Sequence, residues 1–160
     1  MSTYQRILVP VDGSPSALLG VREAIRLARD QAARIRFVFV VDESAVGLTL
    51  EGFVAFGDII DALKRSGEEA LAAARQIALD AGLEPETALV EEYSGRVADA
   101  IVEDALRWPA DLIVMGTHGH RGLHHALVGS EAEGVMRKAP VPLLLVRGKA
   151  PKRKGEAAVG

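Results

Sequence analysis

The stretch that decides the fold is residues 111–132, DLIVMGTHGHRGLHHALVGSEA. Its apolar run 112–115 predicts a short buried strand, and residues 131–138 have the periodicity of a helix. Between them lies a polar loop punctuated by Gly116, Gly119 and Gly122. Glycines let a backbone approach a ligand closely, and the N–H groups at a helix start attract anions. This order is therefore typical of a segment that holds a phosphate chain, with the hydroxyl of Ser130 placed to donate to the same oxygens.

The same stretch matches neither of two common nucleotide motifs. The chain contains no G-x-x-x-x-G-K-[ST] loop, and GTHGHRG does not fit G-x-G-x-x-G because its glycines are spaced by two residues throughout. A glycine-rich loop alone is a weak signal, since a flexible connection before a capped helix has the same appearance. On this stretch alone, both interpretations stay open.

Composition favours a single α/β domain. The 160 residues include 49% apolar but only 4% aromatic residues, so the core must consist mostly of Val, Leu, Ile and Ala, which suits a helix-covered parallel sheet. A net charge of −3 gives no reason to expect a nucleic acid partner. There is no cysteine, no signal-like run at residues 1–6 and no apolar stretch near the roughly 20 residues of a membrane span. We therefore expect no membrane contact and a cytoplasmic location.

The order of apolar runs and amphipathic segments predicts alternating strands and helices. Five strands are expected, with the third and fifth as sheet edges, at residues 7–11, 35–41, 86–93, 112–115 and 143–146. Four helices are expected: one begins at Ser14-Pro15, one spans 58–81 with a weak point at Gly67, one ends at Trp108, and one spans 131–138. Residues 1–147 would form the domain, with 44–56 as a covering loop and 148–160 as a polar, disordered tail.

This βαβαβαβαβ order predicts a parallel, doubly wound sheet with helices on both faces, because crossovers between parallel strands are right-handed. In such sheets a ligand binds beyond the carboxyl ends of the strands, where the strand order reverses. The two most informative strand ends are residues 10–14 (PVDGS) and 116–119 (GTHG). If the first and fourth strands are neighbours, these two ends face each other across one crevice.

Three motifs in the right order resemble the universal stress protein family. ILVPVDGS resembles its first strand, APVPLLLVR resembles its last strand, and the nucleotide motif G-x-x-G, nine residues, G-[ST] is matched by Gly116, Gly119, Gly129 and Ser130. The resemblance implies a five-stranded sheet in the order 3-2-1-4-5 and membership of the ATP-binding branch. It also implies a homodimer formed through the last strand, Leu143–Val146, whose open edge invites pairing.

The resemblance further implies an adenine nucleotide site, with ATP as the ligand. Val40 or Val41 would meet the adenine through backbone groups, and Pro10, Val11 and Asp12 would border the adenosine. Ribose and phosphates would be held by Gly116, Gly119, Gly129 and Ser130, and the N–H groups of Glu131 and Ala132 would complete the cradle. Met115 and His118 adjoin Gly116 and belong to the same expected set. Two positions depart from the family pattern: Glu131 stands where an apolar residue is common, and Ala132 lacks a hydroxyl.

Three side-chain types in the two strand-end loops are candidates for a functional role. All four histidines lie close together, at His118, His120, His124 and His125. They indicate a metal site, phosphate contacts that strengthen on protonation at roughly pH 6–7, or simply a solvated loop, and no metal ligand set is assigned. Arg121 is the best candidate for a cationic phosphate ligand. Asp12 either contacts the nucleoside or a water-bound Mg²⁺, or only forms the turn before Gly13.

No Ser-His-Asp order and no carboxylate pair stands out, so no catalytic residue is predicted. The preferred hypothesis is a regulatory homodimer that senses or buffers ATP and acts through an unknown protein partner, with little or no hydrolysis. Two alternatives stay open. One is a slow ATPase or phosphotransferase that uses the histidines, and the other is an interaction module whose pocket is empty because Glu131 repels phosphates.

Overall fold

The computed structural model describes residues 2–44, 46, 56–118 and 128–148. Its strands are β1 (Arg6–Pro10), β2 (Arg34–Asp42), β3 (Glu86–Glu92), β4 (Leu112–Gly116) and β5 (Leu143–Val146). Its helices are α1 (Pro15–Gln31), α2 (Phe56–Asp80), α3 (Val97–Arg107) and α4 (Ser130–Lys138). All neighbouring strands are parallel and the sheet order is β3-β2-β1-β4-β5, which confirms the predicted order.

Helices cover both faces of the sheet, as predicted. Val21 of α1 and Leu71 of α2 belong to one apolar core, and Ile101 of α3 and Val135 of α4 belong to a second core. Successive residues of a strand point to opposite faces, so each buried strand contributes side chains to both cores. None of the described helices is both long and apolar enough to span a bilayer.

The central strands of the sheet are more deeply buried than its edge strands. Every residue of β4 is buried, and the three middle residues of β1 are buried as well. In contrast, no residue of β3 or β5 is fully buried. This pattern confirms that the third and fifth strands are the edges, and it puts β1 and β4 side by side in the middle.

The helix ends follow local rules that the sequence displays. The Oγ of Ser14 accepts a hydrogen bond from the N–H of Ala17 at 3.1 Å, and Pro15 occupies the first helical position, as predicted. Gly82 follows α2 with φ of +83°, a left-handed conformation that favours glycine. α1 ends at Gln31 and is capped by Ala32, whose left-handed φ of +52° no sequence pattern indicates, since the residue is not a glycine.

α2 runs through Gly67 without interruption, so the structure shows no break at the predicted weak point, and a lower helix stability there stays a prediction. Gly67 is buried, and a Cβ at this position would lie 2.6 Å from Cδ1 of Phe39 and 2.7 Å from Cδ1 of Leu89. The absence of a side chain therefore lets α2 lie close to β2 and β3. The helix also extends beyond the predicted start at residue 58.

The remaining boundaries shift by one or two residues. β1 ends at Pro10 rather than at residue 11, although the N–H of Val11 still bonds to the carbonyl of Val38 at 2.9 Å. α4 begins one residue earlier than predicted, at Ser130. Most of the expected covering loop, and all of the expected tail except Gly148, lie outside the described residues.

Candidate functional site

A cleft of about 550 Å³ opens at the carboxyl ends of β1, β2 and β4, beside the first residues of α3 and α4. Residues 10–12 from the β1 end and residues 115–118 from the β4 end both line it. The two ends meet because β1 and β4 are hydrogen-bonded neighbours, and the strand order reverses between them. The predicted meeting of these strand ends in one crevice is confirmed.

Every predicted site residue that the structure describes lines this cleft. Whether each one contacts a ligand stays a prediction. The set consists of Pro10, Val11, Asp12, Val40, Val41, Met115, Gly116, His118, Gly129, Ser130, Glu131 and Ala132. Two further predicted site residues, Gly119 and Arg121, lie outside the described residues, together with His120, His124 and His125.

The β1 end of the cleft is shaped by an Asp turn. Oδ1 of Asp12 accepts a hydrogen bond from the N–H of Ser14 at 2.8 Å, and Gly13 between them has φ of +79°. The turn interpretation of Asp12 is therefore confirmed. The same carboxylate lines the cleft, so the turn also fixes the position of a negative charge beside any ligand.

The β4 end is held by hydrogen bonds within the protein. The N–H of Thr117 donates to the carbonyl of Val146 at 3.2 Å, and the carbonyl of Thr117 accepts from the N–H of Gly129 at 2.5 Å. The N–H of His118 donates to Oγ of Ser16 at 3.1 Å. The amides of His118 and Gly129 lie within the glycine motif, and both donate to acceptors in the protein.

The first turn of α4 also lies at the cleft, where Gly129, Ser130, Glu131 and Ala132 line it. Gly129 is the N-cap, with no side-chain cap, and its carbonyl accepts the first intrahelical hydrogen bond, from the N–H of Glu133 at 2.9 Å. The N–H groups of Ser130, Glu131 and Ala132 precede that bond and point along the helix axis toward its N-terminus. A helix start of this kind attracts phosphate oxygens through these amides and the helix dipole.

The two departures from the family pattern lie in this same turn. Glu131 is exposed and lines the cleft, so its negative charge lies beside the amides that would receive an anion. Ala132 is only 2% exposed and belongs to the apolar core under α4. Position 132 therefore offers the cleft a backbone N–H, while its methyl group stabilises the helix on the sheet.

Sequence reasoning missed Asp42 at the end of β2. This residue lines the cleft, and its Oδ1 accepts hydrogen bonds from both the N–H and the hydroxyl of Ser44, at 3.1 and 2.5 Å. The signal was available, because Asp42-Glu43-Ser44 repeats the D-x-S pattern of Asp12-Gly13-Ser14. Two adjacent strands thus end in the same turn, and each presents a carboxylate to the cleft.

Three charged residues on the α3 and α4 side were also missed. Nζ of Lys138 lies 2.5 Å from Oδ1 of Asp99, and Nη1 of Arg96 lies 3.8 Å from Oδ2 of the same carboxylate. All three line the cleft. Lys138 reaches this position because α3 and α4 are in close contact, where a Cβ on Gly134 would lie 2.7 Å from Cβ of Ala98.

The described part of the site contains no arrangement typical of covalent catalysis or of a metal centre. Within residues 2–44, 46, 56–118 and 128–148, no three His, Asp or Glu side chains are grouped closely enough to bind a metal ion. His118 is the one histidine in these ranges, and its Nδ1 lies 2.9 Å from Oγ1 of Thr117.

Comparison with known proteins relates the domain to one family. The universal stress protein family matches residues 3–147. A universal stress protein of Methanocaldococcus jannaschii is 40% identical over 145 residues, which covers 90% of this chain and 82% of the relative. Universal stress protein UspA from Lactobacillus plantarum has a TM-score of 0.79 at 26% identity, covering 92% of this chain and all of that one (100%). The universal stress protein from Archaeoglobus fulgidus in complex with dAMP has a TM-score of 0.62 at 28% identity, covering 89% of this chain and 97% of that one.

Proposed function

Since the chain belongs to the universal stress protein family, we propose that its cleft binds an adenine nucleotide, with ATP as the main ligand. One observation carries the proposal: both central strand ends and the start of α4 line the same cleft of about 550 Å³. This volume lies within the range of about 300–1,000 Å³ that is usual for small-molecule sites. The dAMP complex of the Archaeoglobus fulgidus protein supports the same class of ligand.

The phosphates would lie at the start of α4. There the amides of Ser130, Glu131 and Ala132 precede the first intrahelical bond, and the exposed Ser130 adds a hydroxyl donor. Gly116, Gly119 and Gly129 would let the backbone approach the ribose and phosphates closely. His118 and Arg121 are proposed as further phosphate contacts, by hydrogen bonding and by charge.

The adenosine would lie toward the ends of β1 and β2. Val40 and Val41 supply apolar surface and backbone groups for the base, and Pro10, Val11 and Asp12 border the sugar. Asp12 and Asp42 at the strand ends and Glu131 at the start of α4 all line the cleft, and these three negative charges make it unfavourable for a bare polyphosphate. We therefore expect ATP to bind with Mg²⁺, held through water by Asp12, because the ion offsets like-charge repulsion.

The proposed role is regulatory. The described part of the site offers no nucleophile with an adjacent base, so hydrolysis would be slow or absent, and ATP would act by being bound. The protein would work in the cytoplasm as a homodimer joined through β5 and would transmit nucleotide occupancy to a protein partner. The feature that supports this dimer is the outer edge of β5, which is the last strand of the described sheet and pairs there with β4.

Isothermal titration calorimetry with ATP, ADP and AMP, each with and without Mg²⁺, tests the proposal. We expect saturable binding of Mg-ATP, lost when Gly129→Leu places a bulky side chain in the cleft. Gly57→Leu is the matched control, because a Cβ on Gly57 meets no atom within 4 Å and lies outside the cleft. No heat of binding at millimolar Mg-ATP would reject the proposal, and steady phosphate release would favour the slow-ATPase alternative.

A further inference from the structure

Ser16 does not line the cleft, but it is hydrogen-bonded to a residue that does. It lies in the first turn of α1, and its Oγ accepts the hydrogen bond from the backbone N–H of His118 at 3.1 Å. His118 lines the cleft, whereas Ser16 does not. The serine hydroxyl therefore acts on the site only through the backbone of another residue.

The contact between α1 and β4 is unusually close at this point. A Cβ on Gly116 would overlap the backbone oxygen of Ser16 and lie 2.5 Å from its Oγ. One turn further along α1, a Cβ on Gly20 would lie 3.1 Å from the N of Gly116. Glycines on both sides thus bring the helix backbone against the strand end, and the hydroxyl of Ser16 reaches the chain that leaves it.

Ser16 accepts a hydrogen bond from His118, the first residue after β4 whose N–H does not bond to a neighbouring strand. The N–H of Thr117 still bonds to β5, through the carbonyl of Val146, and the carbonyl of Thr117 bonds to the N–H of Gly129. At His118 the sheet offers no further acceptor, and Oγ of Ser16 takes that place. The direction in which the chain leaves β4 therefore depends on this serine.

The same helix turn is also tied to the opposite side of the cleft. The N–H of Ser14 donates to Oδ1 of Asp12 at 2.8 Å, and Oγ of Ser14 accepts from the N–H of Ala17 at 3.1 Å. The first turn of α1 thus holds Asp12 on one side and His118 on the other. A rigid element that fixes both sides of a cleft reduces the ordering needed on binding.

We propose that Ser16 is a positioning residue of this cleft: its hydroxyl fixes the backbone at His118 and so sets the spacing between the β1 and β4 ends around a nucleotide. The effect on affinity rests on the proposed function, whereas the effect on the His118 backbone does not. The hydroxyl is the group that matters, so threonine should replace serine and alanine should not.

The test compares Ser16→Ala and Ser16→Thr with Ser66→Ala, a matched change at an exposed serine of α2. Two quantities are measured: the Kd for Mg-ATP by calorimetry, and the amide hydrogen exchange rates of His118 and Thr117 by NMR. In Ser16→Ala we expect binding to weaken about three- to tenfold and exchange at His118 to accelerate by a similar factor, with exchange at Thr117 unchanged. Ser16→Thr and Ser66→Ala should stay within about twofold of the parent in every measurement.

The outcomes separate this inference from the proposed function. If the parent binds Mg-ATP and Ser16→Ala leaves both Kd and His118 exchange unchanged, the inference is wrong and the proposed function stands. If Ser16→Thr is as defective as Ser16→Ala, the hydroxyl is not the cause, and the inference is also wrong. If the parent binds no nucleotide, the proposed function fails, and His118 exchange still decides whether Ser16 holds this backbone.

Discussion

Arg36 of β2 and Asp104 of α3 form a two-point ion pair in which Nε–Oδ2 and Nη2–Oδ1 are both 3.0 Å. The side chain of Asp104 is 4% exposed and that of Arg36 is 20% exposed. Arg36 also lies near a second carboxylate, with Nη1 3.6 Å from Oε2 of the more exposed Glu86, but Asp104 is the partner that bonds it at two points away from water. We predict that Asp104→Ala lowers the free energy of unfolding by about 3 kcal/mol, measured by urea denaturation.

Two controls test whether the lost stability comes from leaving the charge of Arg36 without its partner. Replacing both partners, with Arg36→Met and Asp104→Leu, should recover most of the lost stability, since no charge is left unpaired. Glu84→Ala removes the partner of Arg75 in an exposed pair and should cost less than about 1 kcal/mol. A similar cost for Asp104→Ala would contradict the importance of the buried pair.

Acid should weaken the fold through Glu86. Burial raises the pKa of Glu86, but hydrogen bonds from Trp108 and Arg34 and the charges of Arg34 and Arg36 outweigh it, so the pKa is lowered overall. A carboxyl with a depressed pKa stabilises the fold fully above its ordinary value of 4.5, and the contribution is lost as pH falls through the lower folded value. Glu86→Gln should therefore reduce the acid dependence of stability below pH 4.5.

The single tryptophan of the chain reports on this carboxyl directly, because Nε1 of Trp108 donates to Oε2 of Glu86 at 3.0 Å. Its fluorescence should titrate in the native protein below pH 4.5. The titration should disappear in Glu86→Gln and persist in Glu103→Gln, which changes an exposed carboxylate of α3. An unaltered titration in Glu86→Gln would show that another acid is responsible.

Gly116 should tolerate no side chain. In Gly116→Ala the new Cβ meets the backbone and hydroxyl oxygens of Ser16, so either α1 or β4 must move. We predict a loss of about 1–3 kcal/mol in the free energy of unfolding, together with weaker Mg-ATP binding. Gly57→Ala, in open space on α2, should leave both quantities near the parent values. Parent-like stability of Gly116→Ala would mean that the α1–β4 contact is looser than described.

Glu131 should oppose phosphate binding. Its carboxylate lies in the first turn of α4 and lines the cleft, whereas Glu133 in the same turn pairs with Arg137 at 2.6 Å and does not line it. At low salt, Glu131→Gln should tighten Mg-ATP binding about two- to fivefold, because a negative charge beside the amides is removed. Glu133→Gln is the control for the helix dipole and should have a smaller effect. Weaker binding in Glu131→Gln would indicate that the carboxylate helps to hold the ligand, for example through Mg²⁺.

The outer edge of β5 should determine the oligomeric state. Carbonyls of Pro142 and Val146 accept hydrogen bonds from β4, so by alternation the N–H of Leu145 faces away from β4. Leu145→Pro removes this donor and should yield a monomer by sedimentation equilibrium, whereas Leu145→Ala keeps the donor and should remain dimeric. A monomeric parent protein would reject the proposed dimer, and a dimeric Leu145→Pro variant would place its interface elsewhere.

The parts of the fold that the sequence predicts are those governed by local patterns. The apolar run of β4, the Ser14 cap and the glycine after α2 each depend on a few neighbouring residues, and the alternation of strands and helices then limits the topology. Gly67 shows the limit of this reasoning. Its low helix propensity predicts a weak point, whereas the structure shows that a side chain here would meet Phe39 and Leu89, which a local pattern cannot reveal.

The candidate site likewise has a part that the sequence predicts and a part that it does not. The residues at the ends of β1 and β4 are predictable, because strand order alone brings them together. The pairing of Lys138 with Asp99 is not, since it depends on how closely α3 and α4 approach at Ala98 and Gly134. Nor does a glycine motif reveal which amides are already bonded, as those of His118 and Gly129 are here.

The hydrogen bond between Thr117 and Gly129 lies at the base of the histidine-bearing segment, residues 118–128, which contains all four histidines of the chain. It joins the two ends of the histidine-bearing segment at the rim of the sheet, so that insertions or deletions between them need break no strand pairing. Closing a longer segment costs only about 0.6 kcal/mol for each doubling in length. We therefore expect that residues between Thr117 and Gly129 can be exchanged without a change in the packing of the core.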